Sequence, residues 1–199
     1  MQQRSEDTRK LIMDAAVRKF CQSGYDATSV NEICETAGVS KGAFYHHFPS
    51  KQTLFLAITD DWLKGVDGEL LTGKGRSETV PQSLIRMAST LGFVFQAASG
   101  QLPMFMEFMV QASRDQAVWE ATIAPYRRYQ SQFAELLEDG KLEESIKPDV
   151  NAQTVSWVLI SLAVGILLQG VIDPGATDWN EVTKSGVKMI LDSIRRSKE

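Results

Sequence analysis

The chain has 199 residues, 43% hydrophobic and 23% charged, the balance of an ordinary folded protein of one large domain or two small ones; disordered, collagen-like and polytopic membrane chains are excluded. Twenty-one Lys and Arg against 25 Asp and Glu leave a formal charge of −4, so the protein does not coat nucleic acid or anionic membrane, and any nucleic-acid contact is local. Cys21 and Cys34 make neither a disulfide framework nor a zinc set, and with a mixed-charge N-terminus lacking an apolar run they fit a cytoplasmic protein.

Helical periodicity dominates the chain and period-two apolar alternation is not evident, so the expected fold is all-α. A first helix is expected over 8–23, with Ile12, Ala16 and Phe20 four apart and Gly24 as its stop. A short second helix follows to Ala37, opened by Thr28-Ser29, where Ser29 and Glu32 have capping-box spacing, and stopped by Gly38. Ser40 caps a third helix over 41–47, and Ser50 can cap a fourth, on which Leu54, Ile58, Trp62 and Val66 form a stripe. Residues 72–79 read as a loop before further helices at 81–98, 103–112, 115–138, 149–172 and 179–196, with Ser99-Gly100, Gly140 and Asp173-Pro174-Gly175 as separators.

Two short helices joined by a turn containing glycine fit a DNA-binding helix-turn-helix, whose second helix enters the major groove. Ile33, Ala37, Val39 and Phe44 face inward on this reading, and Phe44 receives no binding role. Small Gly42 and Ala43 permit close approach beside the donors of Lys41, Tyr45 and His46, while Thr28, Ser29, Ser40, His47 and Lys51 lie at helix starts or edges suited to phosphates. Residues 1–51 carry +1 and the rest −5, a slightly basic head on an acidic body.

The run Gly24-Tyr25-Asp26-Ala27-Thr28-Ser29-Val30, then Ile33, then Ala37 through Lys51 closely resembles the N-terminal domain of TetR-family transcriptional regulators. The resemblance is strong over 8–55; beyond it only helix number, length and order are similar. It implies that Lys41, Gly42, Ala43, Tyr45 and His46 face base edges and that Thr28, Ser29, His47 and Lys51 meet or support phosphates. Asn31 matches a second-helix position that reads bases in some members, and its amide can pair bidentately with adenine. The resemblance also implies a homodimer through the last two helices of each chain, two heads reading a palindromic operator, and an effector pocket in the middle helices.

The residues themselves agree on the dimer. Positions 155–172 are almost wholly apolar, near the length of a minimal membrane span, but flanking Asp149 and Asp173 and the interrupting Ser156, Ser161 and Gln169 favour a helix packed on both faces, in a large core or between subunits. Val158, Ser161, Leu162, Gly165 and Gln169, with Trp179, Val182, Gly186 and Ile190 of the last helix, are the expected dimer residues. The expected effector residues are Trp62, Phe93, Met104, Phe105, Glu107, Phe108, Met109, Trp119, Tyr126 and Tyr129: singly the apolar ones read as plain core and Glu107 as solvent-exposed, but as a group they suit a small apolar or amphipathic effector, an amine-bearing one if Glu107 is buried.

Catalytic motifs, metal-ligand clusters and cofactor loops are not evident, so neither an enzyme nor a cofactor is expected. The expected organisation is a DNA-binding domain over 1–51 and a helical effector-binding and dimerisation domain over 52–199. The functional expectation is a ligand-responsive repressor of transcription released from its operator by the effector, with no membrane partner. The competing expectations are a small-molecule binding or sequestering protein without sequence-selective DNA binding, and a helical protein anchored through 155–172.

Overall fold

The computed structural model describes residues 2–71, 78–98 and 101–196, with the side chains of residues 2, 3, 66, 68–71 and 91–98 outside the description. The described residues form nine helices and no strand. Helix α1 spans Gln2–Ser23, longer than the periodicity indicates; Thr8 lies inside it and donates its hydroxyl to the Arg4 carbonyl at 2.9 Å. Gly24 ends it with φ +83°, its N–H on the Phe20 carbonyl at 2.9 Å.

Helices α2 (Val30–Ala37) and α3 (Lys41–His47) are defined by their caps. The Ser29 hydroxyl accepts the Glu32 N–H while Glu32 Oε2 accepts the Ser29 N–H at 2.8 Å, a complete capping box. Gly38 takes φ +67° in the turn, a left-handed conformation that a Cβ penalises. Ser40 Oγ accepts the Ala43 N–H at 3.1 Å and starts α3. The remaining helices are α4 (Lys51–Leu71), α5 (Val80–Ala98), α6 (Leu102–Ala112), α7 (Gln116–Leu142), α8 (Ala152–Ile172) and α9 (Trp179–Ile194).

Packing divides the chain into two compact units. The first comprises Met1–Lys64 and Gly100–Ile123, so α6 is built into it although it lies some fifty residues beyond α3. Its core joins Ile12, Ala16 and Phe20 of α1, Ile33 of α2, Phe44 of α3 and Phe55 of α4 to Met104 and Phe108 of α6. The Phe55 and Phe108 rings stack with centroids 3.9 Å apart, and Tyr25 meets both edge-on at 5.4 and 5.0 Å.

The second unit comprises Gly65–Ser99 and Ala124–Glu199, with α5 and α8 packed against α9. Gly140 does not separate helices as expected; α7 runs through it to Leu142. The glycine is there for approach rather than for a turn, since a Cβ would lie 2.5 Å from Ile146 Cγ1 and 3.2 Å from Val80 Cβ. The segment beyond α7 is fastened by Lys147 N–H to the Ile194 carbonyl at 2.9 Å and Arg196 N–H to the Ser145 carbonyl at 3.0 Å.

Candidate nucleic-acid interface

Helix α3 turns its one large apolar side chain, Phe44, wholly inward, which fixes what remains outside. Lys41, Gly42, Tyr45 and His46 are exposed, Tyr45 by 53%, and Ala43 and His47 are half-buried. A large aromatic ring left half in water beside a lysine, an imidazole and a side-chain-free glycine is a surface equipped for base edges and phosphates. Asn31 is exposed on α2, and Ser29 and Ser40 stand exposed at the starts of α2 and α3.

Thr28 and Lys51 have internal duties. Thr28 is 1% exposed, and its hydroxyl donates to the Gly24 carbonyl at 2.7 Å, locking the turn between α1 and α2. Lys51 Nζ donates to the carbonyls of Tyr25, Asp26 and Thr28 at 2.7, 3.2 and 2.8 Å and sits 4.4 Å from the centre of the Tyr25 ring. An ammonium has three donors, and all three are used inside the unit. Burial lowers the Lys51 pKa, opposed by the charges of Asp26, Glu107 and Glu32. Burial, with the Asp26 charge, pushes the Tyr25 phenol up to about 12.

One residue near the surface carries no signal in the helix-turn-helix motif. Arg9 of α1 lies with its guanidinium 5.3 Å from the centre of the Phe48 ring, just beyond α3. Together with His46 it lies near His47, whose pKa is lowered first by desolvation and then by the electrostatic influence of His46 and Arg9.

Two family models match the chain: residues 12–58 match the bacterial regulatory proteins of the tetR family, and residues 93–192 match the C-terminal region of BetI-type transcriptional repressors. The chain belongs to the TetR family. Relatives include the HTH-type transcriptional regulator UidR of Escherichia coli K12, 27% identical over 84% of this chain and 83% of that one, and AcrR of Shigella flexneri, 27% identical over 89% and 80%. The fold is shared with Salmonella enterica GusR, TM-score 0.74 at 21% identity, over 94% of this chain and 96% of that one. The protein is a DNA-binding transcriptional regulator, and TetR-family members act as dimers that bind operators and small-molecule effectors.

The regulator's expected effector residues fall into two groups. Met104, Phe105, Phe108 and Trp119 pack in or against the core of the first unit, with the Phe105 and Phe108 rings beside that of Phe55. Both oxygens of Glu107 accept backbone amides, Oε2 the Tyr25 N–H at 2.9 Å and Oε1 the Asp26 N–H at 2.7 Å. Trp62 and Met109 are half-buried, and Phe93 lies outside the described side chains. In the second unit, Tyr129 donates its phenol to Asp67 Oδ1 at 2.5 Å, Arg128 reaches Asp67 Oδ2 at 3.0 Å, and Tyr126 lies 5.6 Å from Trp157 between ring centres. Burial and the Asp67 carboxylate raise the Tyr129 pKa.

The expected dimer residues lie on two sides of α8 and α9. Leu162, Val182, Gly186 and Ile190 are half-buried within the unit, and a Cβ on Gly186 would lie 2.9 Å from Leu162 Cδ2. Trp179 packs on Gly170 and donates its indole N–H to the Asp173 carbonyl at 3.1 Å. Val158, Ser161 and Gln169 are exposed, and among the described residues nothing lies within 4 Å of a Cβ on Gly165.

Proposed function

We propose that the regulator reads an inverted-repeat operator as a homodimer, with α3 of each protomer in successive major grooves, and that a small apolar or amphipathic effector releases it. The observation that carries the DNA reading is the division of α3: Phe44 is fully buried while Lys41, Tyr45 and His46 stand exposed around Gly42. Lys41, Gly42, Ala43, Tyr45 and His46 contact bases, with Asn31 as a further reader from α2. Ser29, Ser40 and His47 meet phosphates, while Thr28 and Lys51 serve by holding the turn that presents α2.

Repression is the sign of regulation that the C-terminal match favours. Effector binding belongs to the second unit, where Tyr126, Tyr129 and Trp157 offer aromatic surface and Asp67 a half-buried carboxylate already shared by Arg128 and Tyr129. With Glu107 committed to amides, no case for an amine-bearing effector rests on it. An effector shifts the equilibrium only by binding the released state more tightly than the operator-bound state. The apolar face of α8 is covered by a second copy of the chain rather than by lipid, and the regulator works in the cytoplasm with its operator.

The test is selection of the purified protein against a random duplex library, followed by the salt dependence of binding to the winner. An inverted repeat retained at physiological salt is the expected result. Failure to enrich any site overturns the proposal in favour of a sequestering protein.

A further inference from the structure

We infer that Glu107 is a positioning residue for operator binding: the grip by which α6, a helix of the C-terminal family region, holds the turn from which α2 and α3 are presented. The inference rests on the DNA-binding reading of α3. Glu107 lies within the 93–192 match, and its two oxygens take the consecutive N–H groups of Tyr25 and Asp26, which belong to the 12–58 match. Two consecutive amides converging on one anion form a concave donor pair, and charge-assisted bonds of this kind are roughly twice as strong as neutral ones.

The turn is shaped for this carboxylate. Gly24 precedes the two amides with φ +83°, and a Cβ there would stand 2.7 Å from Glu107 Oε2, so both the backbone conformation and the approach of Glu107 require glycine. On the carbonyl side Lys51 takes Tyr25, Asp26 and Thr28. The same few residues are therefore held through their N–H groups by an anion on α6 and through their carbonyls by a cation on α4. Ser29, which caps α2, follows directly. A change in the placement of α6 that withdraws Glu107 leaves two amides without their acceptor and frees the turn on one side only. None of these groups needs to touch DNA, so the grip alters how well α2 and α3 are placed without altering the number of phosphates neutralised.

The experiment measures binding of Glu107→Ala and Glu107→Gln to the selected operator across a salt series, beside amide hydrogen exchange of the DNA-free proteins. The expected result is operator affinity reduced on the order of tenfold in Glu107→Ala, a typical size for coupling between two regions of a protein. Glu107→Gln, which keeps one acceptor oxygen, falls between it and the parent. The slope of affinity against salt is unchanged in both, and exchange at Tyr25 and Asp26 accelerates while α8 and α9 keep their protection. Unchanged affinity together with faster exchange at the two amides overturns the positioning role and leaves a merely structural bond. An altered salt slope also overturns it, by making Glu107 part of the phosphate interface. Absence of operator binding by the parent protein overturns the DNA reading itself, a result distinct from either.

Discussion

At the residue scale, what a side chain does in this interface depends on where its donors are already spent. Lys41 and Lys51 are both lysines beside the helix-turn-helix, but Lys51 gives all three donors to carbonyls whereas Lys41 is exposed on α3. Replacing Lys41 by alanine is expected to lower the magnitude of the salt slope by up to ~1, because a cation that displaces counterions when it enters the groove is lost along with its base contact. Lys51→Met, which keeps the stem and removes the donors, is expected to weaken binding with the slope unchanged; a salt series on the two variants checks both. His47 supplies a pH dependence. Its pKa is held below the ordinary imidazole range in the free protein, so its contribution to stability is present above that range and lost as pH falls. A phosphate beside it acts in the opposite sense, so binding takes up a proton and operator affinity is expected to rise as pH falls from 7.5 to ~6. Titrations of the parent and of His47→Gln check this, the variant showing the flatter profile.

Elements were legible in the sequence wherever their determinants are local. The Ser29 and Glu32 box, the Gly38 turn and the Ser40 cap each act within four residues, and each appears in the structure where the spacing puts it. Gly140 misled because a glycine is equally a helix stop and a point of close approach, and only Ile146 and Val80 decide between them. The helix α6 was legible as an apolar helix but not as a wall of the DNA-binding unit, because periodicity says which side chains are apolar and not whom they meet. Phe108 shows the consequence: Phe108→Ala is expected to cost ~3–5 kcal/mol as a core aromatic truncation, and to loosen the first unit together with operator binding. Gly140→Ala is expected to cost ~1–3 kcal/mol by overpacking, within the second unit. Thermal melts combined with hydrogen exchange assign each loss to its unit.

At the scale of the whole molecule the decisive feature is the side of α8 that the described residues leave uncovered. Ala152, Ser156, Leu159, Ile160 and Ile166 are buried, while Trp157, Ser161, Val164, Leu168 and Ile172 recur at intervals of three and four as a continuous exposed stripe. The helix is long and apolar enough to cross a membrane by length and composition, but TetR-family regulators act as dimers, and we propose that this stripe meets a second protomer. Dimerisation matters for affinity because the second head binds its half-site at an effective concentration set by the first, a gain of ~10²–10⁴ that separate heads lack. An aspartate in the middle of the stripe must lose its hydration or keep the protomers apart. Val164, 52% exposed in the chain, is the position to change. Val164→Asp is expected to sediment as a monomer with its helical content intact, and to lose operator affinity by a factor of that order while still binding DNA weakly through one head. Leu11→Asp, at an equally exposed apolar residue of α1 in the first unit, is the control and is expected to remain dimeric. Sedimentation velocity on the pair checks the assignment, because a dimer that survives Val164→Asp cannot be held together by this stripe.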